Sequence, residues 1–419
     1  MSCNGNSLPL NQVLLGDCRE VMAGFPEDSI DLVVTSPPYW GLRDYGNSHQ
    51  VWGGDPNCKH IWDGESHTFK YSGGISPGYT GQFSDDRTHF ERTTNYCSKC
   101  GAWGGSLGLE PRPHMFVDHL VEISREIRRV LKPRGSFWLN LGDTYYTHTS
   151  KRSGQFGADI ENERNRIFTC KRHILKTDGW LQEKQLLGIP WRVAIALQDE
   201  GWVLRNCVIW YKRNHMPESV KDRLTKSYEF FFFLVKQPRY YFNLDAIREP
   251  YVEASIQRLT QPPLVTRMDD ADKLVKEPTK LTKHDQAVGR IGNFSYADSL
   301  HVKSNHPKGK NPGDVWDIPT QPFPGAHFAV FPEKLVEPII KACCPPKGVV
   351  LDPFAGSGTC LRVARRLGRS FIGVEINPEY VELCLKRVKA DGYRKPPEGV
   401  NPLSDYVDLH PANQKEEKI

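Results

Sequence analysis

Short β-branched runs alternate along this chain with longer stretches whose apolar positions have helical spacing. Residues 13–15 and 30–34 predict strands, and apolar residues at steps of four and three between Phe116 and Val130 predict a helix. Further strands are predicted at 136–141, 203–211, 230–235, 349–351 and 371–374, and further helices from Cys18, over 190–200, up to about 342, from Thr359, and over 378–389. Strand 230–235 is predicted to form a hairpin with residues 240–242. Strands alternating with helices favour an α/β fold.

Two stretches interrupt this pattern. Residues 41–110 are rich in Gly, Ser, Asp and aromatic residues with little periodicity, and residues 254–325 are polar and punctuated by Pro and Gly. We therefore expect a core made of residues 1–40, 111–253 and 326–392, which carries two inserts. Residues 393–419 are polar and are predicted to form a flexible tail.

Charge and cysteine content narrow the class of protein. The net charge of +5 combines an acidic start with a basic middle at 111–260, which fits a polyanionic partner on one face. The longest strongly apolar run, residues 230–235, is too short to cross a membrane, and no signal peptide opens the chain. Eleven cysteines without a secretory signal indicate reduced thiols or metal ligands, so we expect a soluble, cytoplasmic protein.

A glycine-rich turn joins the strand at 349–351 to the following helix. It reads Asp352-Pro353-Phe354-Ala355-Gly356-Ser357-Gly358-Thr359, and Glu375 ends the next strand. Glycines let a backbone approach a ligand closely, and an acidic residue about 20 positions later suits a ribose diol. No Gly-Lys-Ser/Thr follows, so a triphosphate is not expected. The alternative is a tight strand-to-helix turn without a ligand.

A proline-stiffened segment follows the strand at 30–34 and reads Ser36-Pro37-Pro38-Tyr39. Two prolines fix the backbone, so that the carbonyl groups of Ser36 and Pro37 can act as rigid acceptors for an amino group. The Tyr39 ring offers a face on which a planar base can stack. The alternative is a proline-rich strand exit with a core tyrosine.

Together, these two segments resemble the S-adenosylmethionine-dependent DNA amino-methyltransferases. Ser36-Pro37-Pro38-Tyr39 is similar to their catalytic motif, and residues 352–359 are similar to their cofactor loop. The catalytic motif precedes the cofactor loop, as in the circularly permuted beta group. The resemblance implies a Rossmann-like α/β methyltransferase sheet with helices on both faces. Serine before Pro-Pro-Tyr resembles the cytosine-N4 branch more than the adenine-N6 branch.

The resemblance also implies roles for particular residues. Asp17 matches the position that contacts the cofactor adenine, Phe331 and Pro332 match the segment beside its methionine end, and Glu375 matches the residue that binds the ribose hydroxyls. The residues that would line the cofactor are Asp352, Phe354, Gly356 and Gly358. Residues 210–214 match a family segment near the target base.

A metal site is predicted in the first insert. Cys97 and Cys100 have the Cys-x-x-Cys-Gly spacing of a zinc knuckle, and Cys58 with His60 is the best partner pair, with His67 as a substitute for His60. A structural zinc ion would stabilise an insert that has few core residues. The alternative is a set of free thiols beside a surface histidine.

The leading hypothesis is therefore a site-specific methyltransferase acting on the N4 amino group of a flipped cytosine in double-stranded DNA. Residues 254–325 are the predicted target-recognition region, with a flexible linker as the alternative. Adenine-N6 methylation is the nearest rival function. A catalytically silent, zinc-containing DNA-binding protein and a methyltransferase acting on RNA or protein are more distant ones. No oligomeric state is predicted.

Overall fold

The structure is a computed structural model of the chain, and it describes residues 7–41, 50–62, 66–70, 89–93, 95–146, 181–252, 306–321 and 330–389. The chain divides into two compact units. The first contains residues 1–242 and 314–419, and the second contains residues 243–313. Most of the predicted recognition region, the predicted tail and His67's side chain lie outside what the structure describes.

The first unit contains an eight-stranded sheet. Its strands are β1 (Gln12–Leu15), β2 (Ile30–Thr35), β8 (Leu131–Leu141), β9 (Val203–Tyr211), β10 (Tyr228–Val235), β11 (Val315–Asp317), β12 (Val349–Asp352) and β13 (Ser370–Glu375). They lie in the sheet in the order β1-β13-β12-β2-β8-β10-β9-β11. Strands β1, β13, β12, β2 and β8 are parallel, whereas β10 runs antiparallel to both β8 and β9. The predicted α/β class is confirmed.

In the described ranges of the chain, six α-helices pack in two groups of three against this sheet. They are α1 (Cys18–Ala23), α2 (Pro113–Val130), α3 (Ile189–Asp199), α4 (Glu333–Cys343), α5 (Thr359–Arg366) and α6 (Pro378–Lys389). Helices α1 and α3 contact α2, and helices α4 and α6 contact α5. Buried branched residues on β2 and β12 form the middle of the core. Long apolar runs are typical of parallel strands that are covered on both faces.

The first insert contains more strand structure than its composition predicts. Strands β3 (Gln50–Trp52), β7 (Trp103–Gly105) and β6 (Asn95–Tyr96) form a small sheet, and β4 (Ser66–Lys70) pairs with β5 (His89–Thr93). Trp52 and Trp103 are buried and stack on His119 of α2. This small sheet therefore packs against helix α2 of the main core.

The predicted hairpin between strand 230–235 and residues 240–242 is wrong. The two hydrogen-bonding edges of β10 are already taken by β8 and β9, so no edge remains for a third partner. The amide of Tyr241 instead donates to the carbonyl of Arg134 (2.9 Å). The turn after Val235 has the composition of a hairpin, but long-range pairing determines where the chain goes.

The second unit is described only in part, over residues 243–252 and 306–313. It contains a short 3-10 helix, Leu244–Ala246, and an antiparallel bridge between Glu249 and Lys310. Asp245 forms ion pairs with Arg248 (2.7 Å) and Lys308 (3.0 Å). Within the described parts of the chain, no helix has the length and apolar character needed to span a membrane.

Candidate active site at the carboxyl edge of the sheet

Four neighbouring parallel strands end at one edge of the large sheet, called here the cofactor edge. Asp17 follows β1, Glu375 ends β13, Asp352 ends β12, and Ser36 follows β2. Because β1, β13, β12 and β2 are adjacent and parallel, their carboxyl ends lie side by side. Open α/β sheets place their ligands at such an edge. Strand pairing thus places residues that are more than 300 positions apart in the sequence, such as Ser36 and Asp352, at the same edge.

The cofactor loop, residues 352–359, has backbone conformations that favour glycine. Gly356 and Gly358 have φ values of +50° and +75°, and Gly358 caps the start of α5. A Cβ atom at Gly358 would overlap Cys384 Sγ of α6. The amide of Ala355 donates to the carbonyl of Val374 (2.9 Å), which fastens the loop to β13. Close packing therefore requires glycine at Gly358 independently of any ligand.

Glu375, the last residue of β13, contacts this loop and is only 8% exposed. Its carboxylate accepts the amide protons of Gly356 (2.8 Å) and Asn377 (2.9 Å). Burial raises the pKa of Glu375, and these amide donors oppose that rise. Each carboxylate oxygen can accept more than one hydrogen bond, so the fixed carboxylate can still accept from a pair of hydroxyl groups.

Asp352 connects the cofactor loop to the strand that leads to the predicted catalytic segment, residues 36–39. Its carboxylate is 2% exposed and accepts from Thr35 Oγ1 (2.6 Å) and from the amide of Phe354 (3.1 Å). Burial raises the pKa of Asp352 to about 7. The Thr35 hydrogen bond joins β2 to β12 one residue before Ser36, which fixes the two loops relative to each other.

Asp17 forms a corner between β1 and the insert. It caps helix α1, and its carboxylate accepts from the Arg19 guanidinium (2.7 Å) and from Gln50 Nε2 (2.8 Å). Arg19 also lies 3.7 Å above the ring of Trp52. Burial would raise the pKa of Asp17, but the hydrogen bonds and charge of Arg19 lower it below its ordinary value. Asp17 is therefore a structural anchor as well as a predicted contact for the adenine.

Tyr39 is oriented by polar residues from two neighbouring strands. Its hydroxyl can donate to Glu229 Oε2 (2.8 Å) or Asn140 Oδ1 (2.9 Å), and it accepts a long hydrogen bond from Ser36 Oγ (3.3 Å). The Asn140 amide donates to the carbonyl of Phe230 (3.0 Å), which fixes its orientation. Ser36 and Tyr39 are half-buried. The predicted catalytic motif is thus part of a wider polar network.

The segment 210–214 also reaches this network. Lys212 forms an ion pair with Glu229, the carboxylate next to Tyr39, and lies 4.2 Å above the ring of Trp210. Trp210 is buried and donates to the carbonyl of Ile318 (2.8 Å). The structure therefore brings this segment to the catalytic motif through Lys212 and Glu229.

A helix start and a lysine complete the edge beyond β8. The Asp143 carboxylate accepts from the amides of Gly188 (3.0 Å) and Ile189 (3.1 Å) at the start of α3. Burial raises the pKa of Asp143. Lys226 donates to the Asp143 carbonyl (2.8 Å), and burial lowers the pKa of Lys226. These groups border the polar and basic residues 144–184, most of which lie outside the described residues.

The remaining predicted cofactor residues lie next to the same elements. Pro332 caps the start of α4 and is buried, whereas Phe331 is half-buried. Phe354 is partly buried against the main core. Their proposed contacts with the methionine end of the cofactor stay predictions.

The predicted metal ligands Cys58, His60, Cys97 and Cys100 come together, and their ligand atoms all lie within 4.8 Å of one another. The Sγ atoms of Cys58 and Cys97 are 3.9 Å apart, and Cys100 Sγ lies 3.5 Å from His60 Nδ1. Cys97 is buried and the other three are half-buried. We refer to these residues as the ligand cluster.

The thiols of the ligand cluster differ in acidity. Burial opposes ionisation of Cys97, but the backbone at Cys100 and the His60 ring lower the pKa of Cys97 to about 6. Burial and the neighbouring thiols raise the pKa of Cys58 to about 11. A single cluster thus contains a thiol that ionises readily beside one that does not.

Several residues that contribute to the site could not be identified from the sequence. Thr35, Gln50, Asn140 and Glu229 are separated by tens or hundreds of positions from the residues they contact. No spacing rule connects them, because their contacts depend on strand order. The placement of Asn140 and Glu229 follows from the antiparallel pairing of β8 with β10, which is a property of the folded sheet.

Comparisons with known proteins agree with this geometry. A DNA methylase family model, N6_N4_Mtase, matches residues 30–386. The type II methyltransferase M.SmaI of Serratia marcescens is 31% identical over 386 residues, which cover 92% of this chain and 93% of that protein. The type II methyltransferase M.Cfr9I of Citrobacter freundii is 32% identical over 386 residues, covering 92% of this chain and 90% of that protein.

Solved structures give more distant matches. The cytosine-N4-specific PvuII DNA methyltransferase has a TM-score of 0.47 at 18% identity, covering 94% of this chain and 89% of that one. The M1.HpyAVI–SAM complex has a TM-score of 0.39 at 16% identity, covering 90% and 98%. The family match over most of the chain and the full-length relatives lead to one conclusion: this chain belongs to the DNA methylase family, whose methyl donor is S-adenosylmethionine, and to its type II methyltransferases.

Proposed function

We propose that this enzyme transfers the methyl group of S-adenosylmethionine to the exocyclic N4 atom of a cytosine that is flipped out of duplex DNA. The observation that carries the proposal is the contact between the two loops. Thr35, directly before Ser36, donates to Asp352 of the cofactor loop (2.6 Å). The catalytic segment and the cofactor loop therefore share one edge of the sheet, as a direct transfer between two bound reactants requires.

The residues of the cofactor edge fit the adenosyl group chemically. Glu375 is a buried carboxylate fixed by two amides, and it would accept from the ribose hydroxyls. The glycines of the cofactor loop allow close approach of the backbone, and Phe354 would contact the cofactor from the same loop. Asp17 at the neighbouring strand end is the proposed contact for the adenine.

The methyl-transfer step would form one bond and break one bond. The cytosine N4 lone pair would attack the methyl carbon as the bond from that carbon to sulfur breaks, and S-adenosylhomocysteine would leave. The methylated amino group would then release one proton to solvent water. The sulfonium supplies an already activated methyl group, so the main task of the chain is to orient N4 in line with it. Target amino groups lie inside a duplex, and the base must leave the stack to reach this edge.

The catalytic segment has the groups that this step needs. The carbonyl groups near Ser36 would accept from the amino group and stabilise the positive charge that develops on nitrogen. The Tyr39 ring would stack on the flipped base, and the hydrogen bonds from its hydroxyl to Glu229 or Asn140 restrict the ring's position. Serine in place of aspartate before Pro-Pro-Tyr favours cytosine over adenine.

The proposal is tested by identifying the modified nucleoside. Unmethylated genomic DNA offers many sequences, so it serves as substrate while the recognition sequence is unknown. It is incubated with the protein and S-adenosylmethionine, digested to nucleosides and analysed by mass spectrometry. N4-methylcytosine supports the proposal, N6-methyladenine assigns the rival function, and the absence of any methylated nucleoside contradicts both. Parallel reactions with single-stranded DNA and RNA test the preference for duplex.

A further inference from the structure

The ligand cluster is joined directly to the small sheet of the insert. Cys58 and His60 follow strand β3, whereas Cys97 and Cys100 precede strand β7. Strands β3 and β7 pair with each other, with Trp52 opposite Trp103. The four ligands therefore lie in the segments that follow β3 and precede β7. Trp52 and Trp103 of these two strands pack on His119 of helix α2.

The geometry of the cluster suits a tetrahedral ion with three sulfur ligands and one nitrogen ligand. Zinc–ligand distances of about 2.3 Å to sulfur and 2.0 Å to nitrogen imply about 3.8 Å between sulfurs and about 3.5 Å between sulfur and nitrogen. The observed distances are 3.9 Å and 3.5 Å. A disulfide would require sulfur atoms about 2.05 Å apart. Three sulfurs and an imidazole favour Zn²⁺ over Mg²⁺ or Ca²⁺, which prefer oxygen.

Two glycines next to the ligand cluster leave room for its sulfur atoms and its turn. A Cβ atom at Gly54 would lie 2.8 Å from Cys100 Sγ and 2.7 Å from the Ala102 Cβ atom. Gly101 has a φ value of +73°, and its amide donates to the carbonyl of Cys97 (2.8 Å), which closes the Cys-x-x-Cys turn. The backbone here is shaped around the sulfur atoms.

We propose that Cys58, His60, Cys97 and Cys100 bind one Zn²⁺ ion, and that this ion stabilises the insert as a brace for the cofactor edge and the catalytic segment. The part of the proposal that concerns cofactor affinity rests on the proposed role of the cofactor edge. The part that concerns the metal does not depend on it.

The first contact of the brace is with the Asp17 corner. Gln50 of β3 donates to Asp17 (2.8 Å), and the carbonyl of Val51 accepts from Arg19 (3.0 Å). The ring of Trp52 lies under the Arg19 guanidinium at 3.7 Å. All three residues of β3 therefore fix the side chains at the end of β1.

The second contact is with Trp40 and Gly41, the residues directly after the catalytic segment. The amide of Gly41 donates to the carbonyl of Gly108 (2.6 Å), and Trp40 Nε1 donates to the carbonyl of Glu110 (3.0 Å). A Cβ atom at Gly108 would lie 3.1 Å from the Tyr39 carbonyl, so the insert packs tightly behind the catalytic tyrosine. Glu110 is itself anchored by His119 of α2 (2.9 Å).

The insert needs such an ion because its own strands are short. Strands β3, β6 and β7 have 3, 2 and 3 residues, and strands of this length are marginal without further support. A structural zinc ion contributes folding free energy directly to a small module. Loss of the ion would loosen β3, and with it the hydrogen bond from Gln50 to Asp17.

The metal is tested on the purified full-length protein, prepared without chelators. Elemental analysis should find about one zinc per chain in the wild type, and cobalt substitution should give the absorption bands of tetrahedral thiolate coordination. Cys100→Ser should lose the metal, whereas Cys207→Ser, on β9 outside the cluster, should retain it. Zinc well below one per chain in the wild type, or full retention in Cys100→Ser, would overturn the metal assignment. No DNA or methyl transfer enters this measurement.

The brace is tested by calorimetric titration with S-adenosylmethionine. Gln50→Ala should keep its zinc and bind the cofactor about tenfold more weakly, the effect of losing about one charged hydrogen bond. Zinc-depleted wild-type protein should show a similar loss that readdition of Zn²⁺ reverses. Unchanged affinity both in Gln50→Ala and in zinc-depleted wild-type protein, the latter shown to lack the ion, would overturn the brace. Wild-type protein that binds no cofactor even with zinc would contradict the proposed function instead.

Discussion

The cofactor edge and the insert position their chemistry by different means. At the cofactor edge, four parallel strands bring Asp17, Ser36, Asp352 and Glu375 together, and the strands belong to a large buried core. In the insert, strands of two or three residues converge on three cysteines and a histidine. A large sheet can orient side chains without a metal, whereas a small module needs a strong local interaction to do the same.

The largest expected effect is on catalysis at the cofactor edge. Tyr39→Ala should reduce methyl transfer by about 10² to 10³-fold, because it removes the stacking face and the group that Glu229 and Asn140 hold in place. The dissociation constant of S-adenosylmethionine should stay within about twofold. Turnover in single-turnover reactions and calorimetric cofactor binding provide the two measurements.

Ser36→Ala is the companion variant, and Cys100→Ser is its counterpart in the insert. Ser36→Ala should also impair transfer with little loss of cofactor affinity, whereas Cys100→Ser should act on stability and cofactor binding. Normal turnover in both Tyr39→Ala and Ser36→Ala would show that the catalytic segment does not carry the chemistry.

The next largest effect is on the pH dependence of stability. Ionisation of Asp352 is expected to lower the free energy of unfolding, whereas ionisation of Asp17 at the same edge is expected to raise it. The folded-state pKa of Asp352 is raised to about 7 from 3.8, so its stabilising contribution is complete below about pH 4 and is lost as pH rises through 7. Asp352→Asn retains an acceptor for Thr35 and should gain stability relative to the wild type over that window. The gain should be on the order of 4 kcal/mol in the free energy of unfolding once the pH exceeds 7.

Asp17→Asn is the matched control. The pKa of Asp17 is lowered, so its contribution is present above 3.8 and is lost only as pH falls below that value. This variant should be less stable than the wild type at neutral pH and approach it in acid. Denaturant unfolding at a series of pH values measures both. Parallel pH profiles for the two variants would contradict the different environments assigned to these carboxylates.

A third comparison uses one glycine from each region, each packed against a cysteine sulfur. Gly358→Ala should destabilise the core by about 2 kcal/mol and weaken cofactor binding, because both the φ of +75° and the Cys384 sulfur oppose a side chain. Gly54→Ala should instead lower the affinity for zinc and leave the main thermal transition near its wild-type temperature.

Alanine variants of two other glycines measure the cost of backbone strain without steric crowding. Gly368 and Gly53 have φ values of +70° and +66°, but nothing lies within 4 Å of a Cβ atom at either position. Alanine there should cost only about 1 kcal/mol of backbone strain, without loss of cofactor or zinc affinity. If Gly358→Ala and Gly368→Ala behave alike, close packing does not explain the glycine in the cofactor loop.

The smallest effect is expected at the basic residues of helix α2 and the start of β8, for which a phosphate contact is the alternative role. Arg125 pairs with Glu200 (2.7 Å), Arg129 with Glu126 (2.9 Å), and Lys132 with Asp31 (2.8 Å). Arg125→Ala should change the melting temperature by less than about 1 °C, because exposed ion pairs contribute little. DNA affinity, measured by fluorescence anisotropy, should be unchanged. A clear loss of affinity would place DNA on this face.

Local sequence patterns predict much of this fold. Prolines and glycines mark the ends of β2 and β12, and the strand at 203–211 is confirmed with the bounds that its apolar run predicts. The ligand cluster can also be predicted from the sequence, because the Cys-x-x-Cys spacing is a local signal. The glycine-rich turn after β12 and Glu375 at the end of β13 are likewise predicted from a local spacing.

Contacts between distant strands could not be predicted in this way. The failed hairpin at 240–242 and the unpredicted partners of Tyr39 have one cause: β10 inserts between β8 and β9, and this places Glu229 beside the catalytic segment. Likewise, Gln50 contacts Asp17 only because the insert folds back on β1. Strand order and packing decide these contacts, and neither has a periodicity along the chain.

The most direct test of the central claim is mass spectrometry of nucleosides from unmethylated genomic DNA treated with the wild-type protein and S-adenosylmethionine, with Tyr39→Ala in parallel. The account predicts N4-methylcytosine from the wild type and a strongly reduced amount from the variant. N6-methyladenine as the product, or equal yields from both proteins, would contradict it.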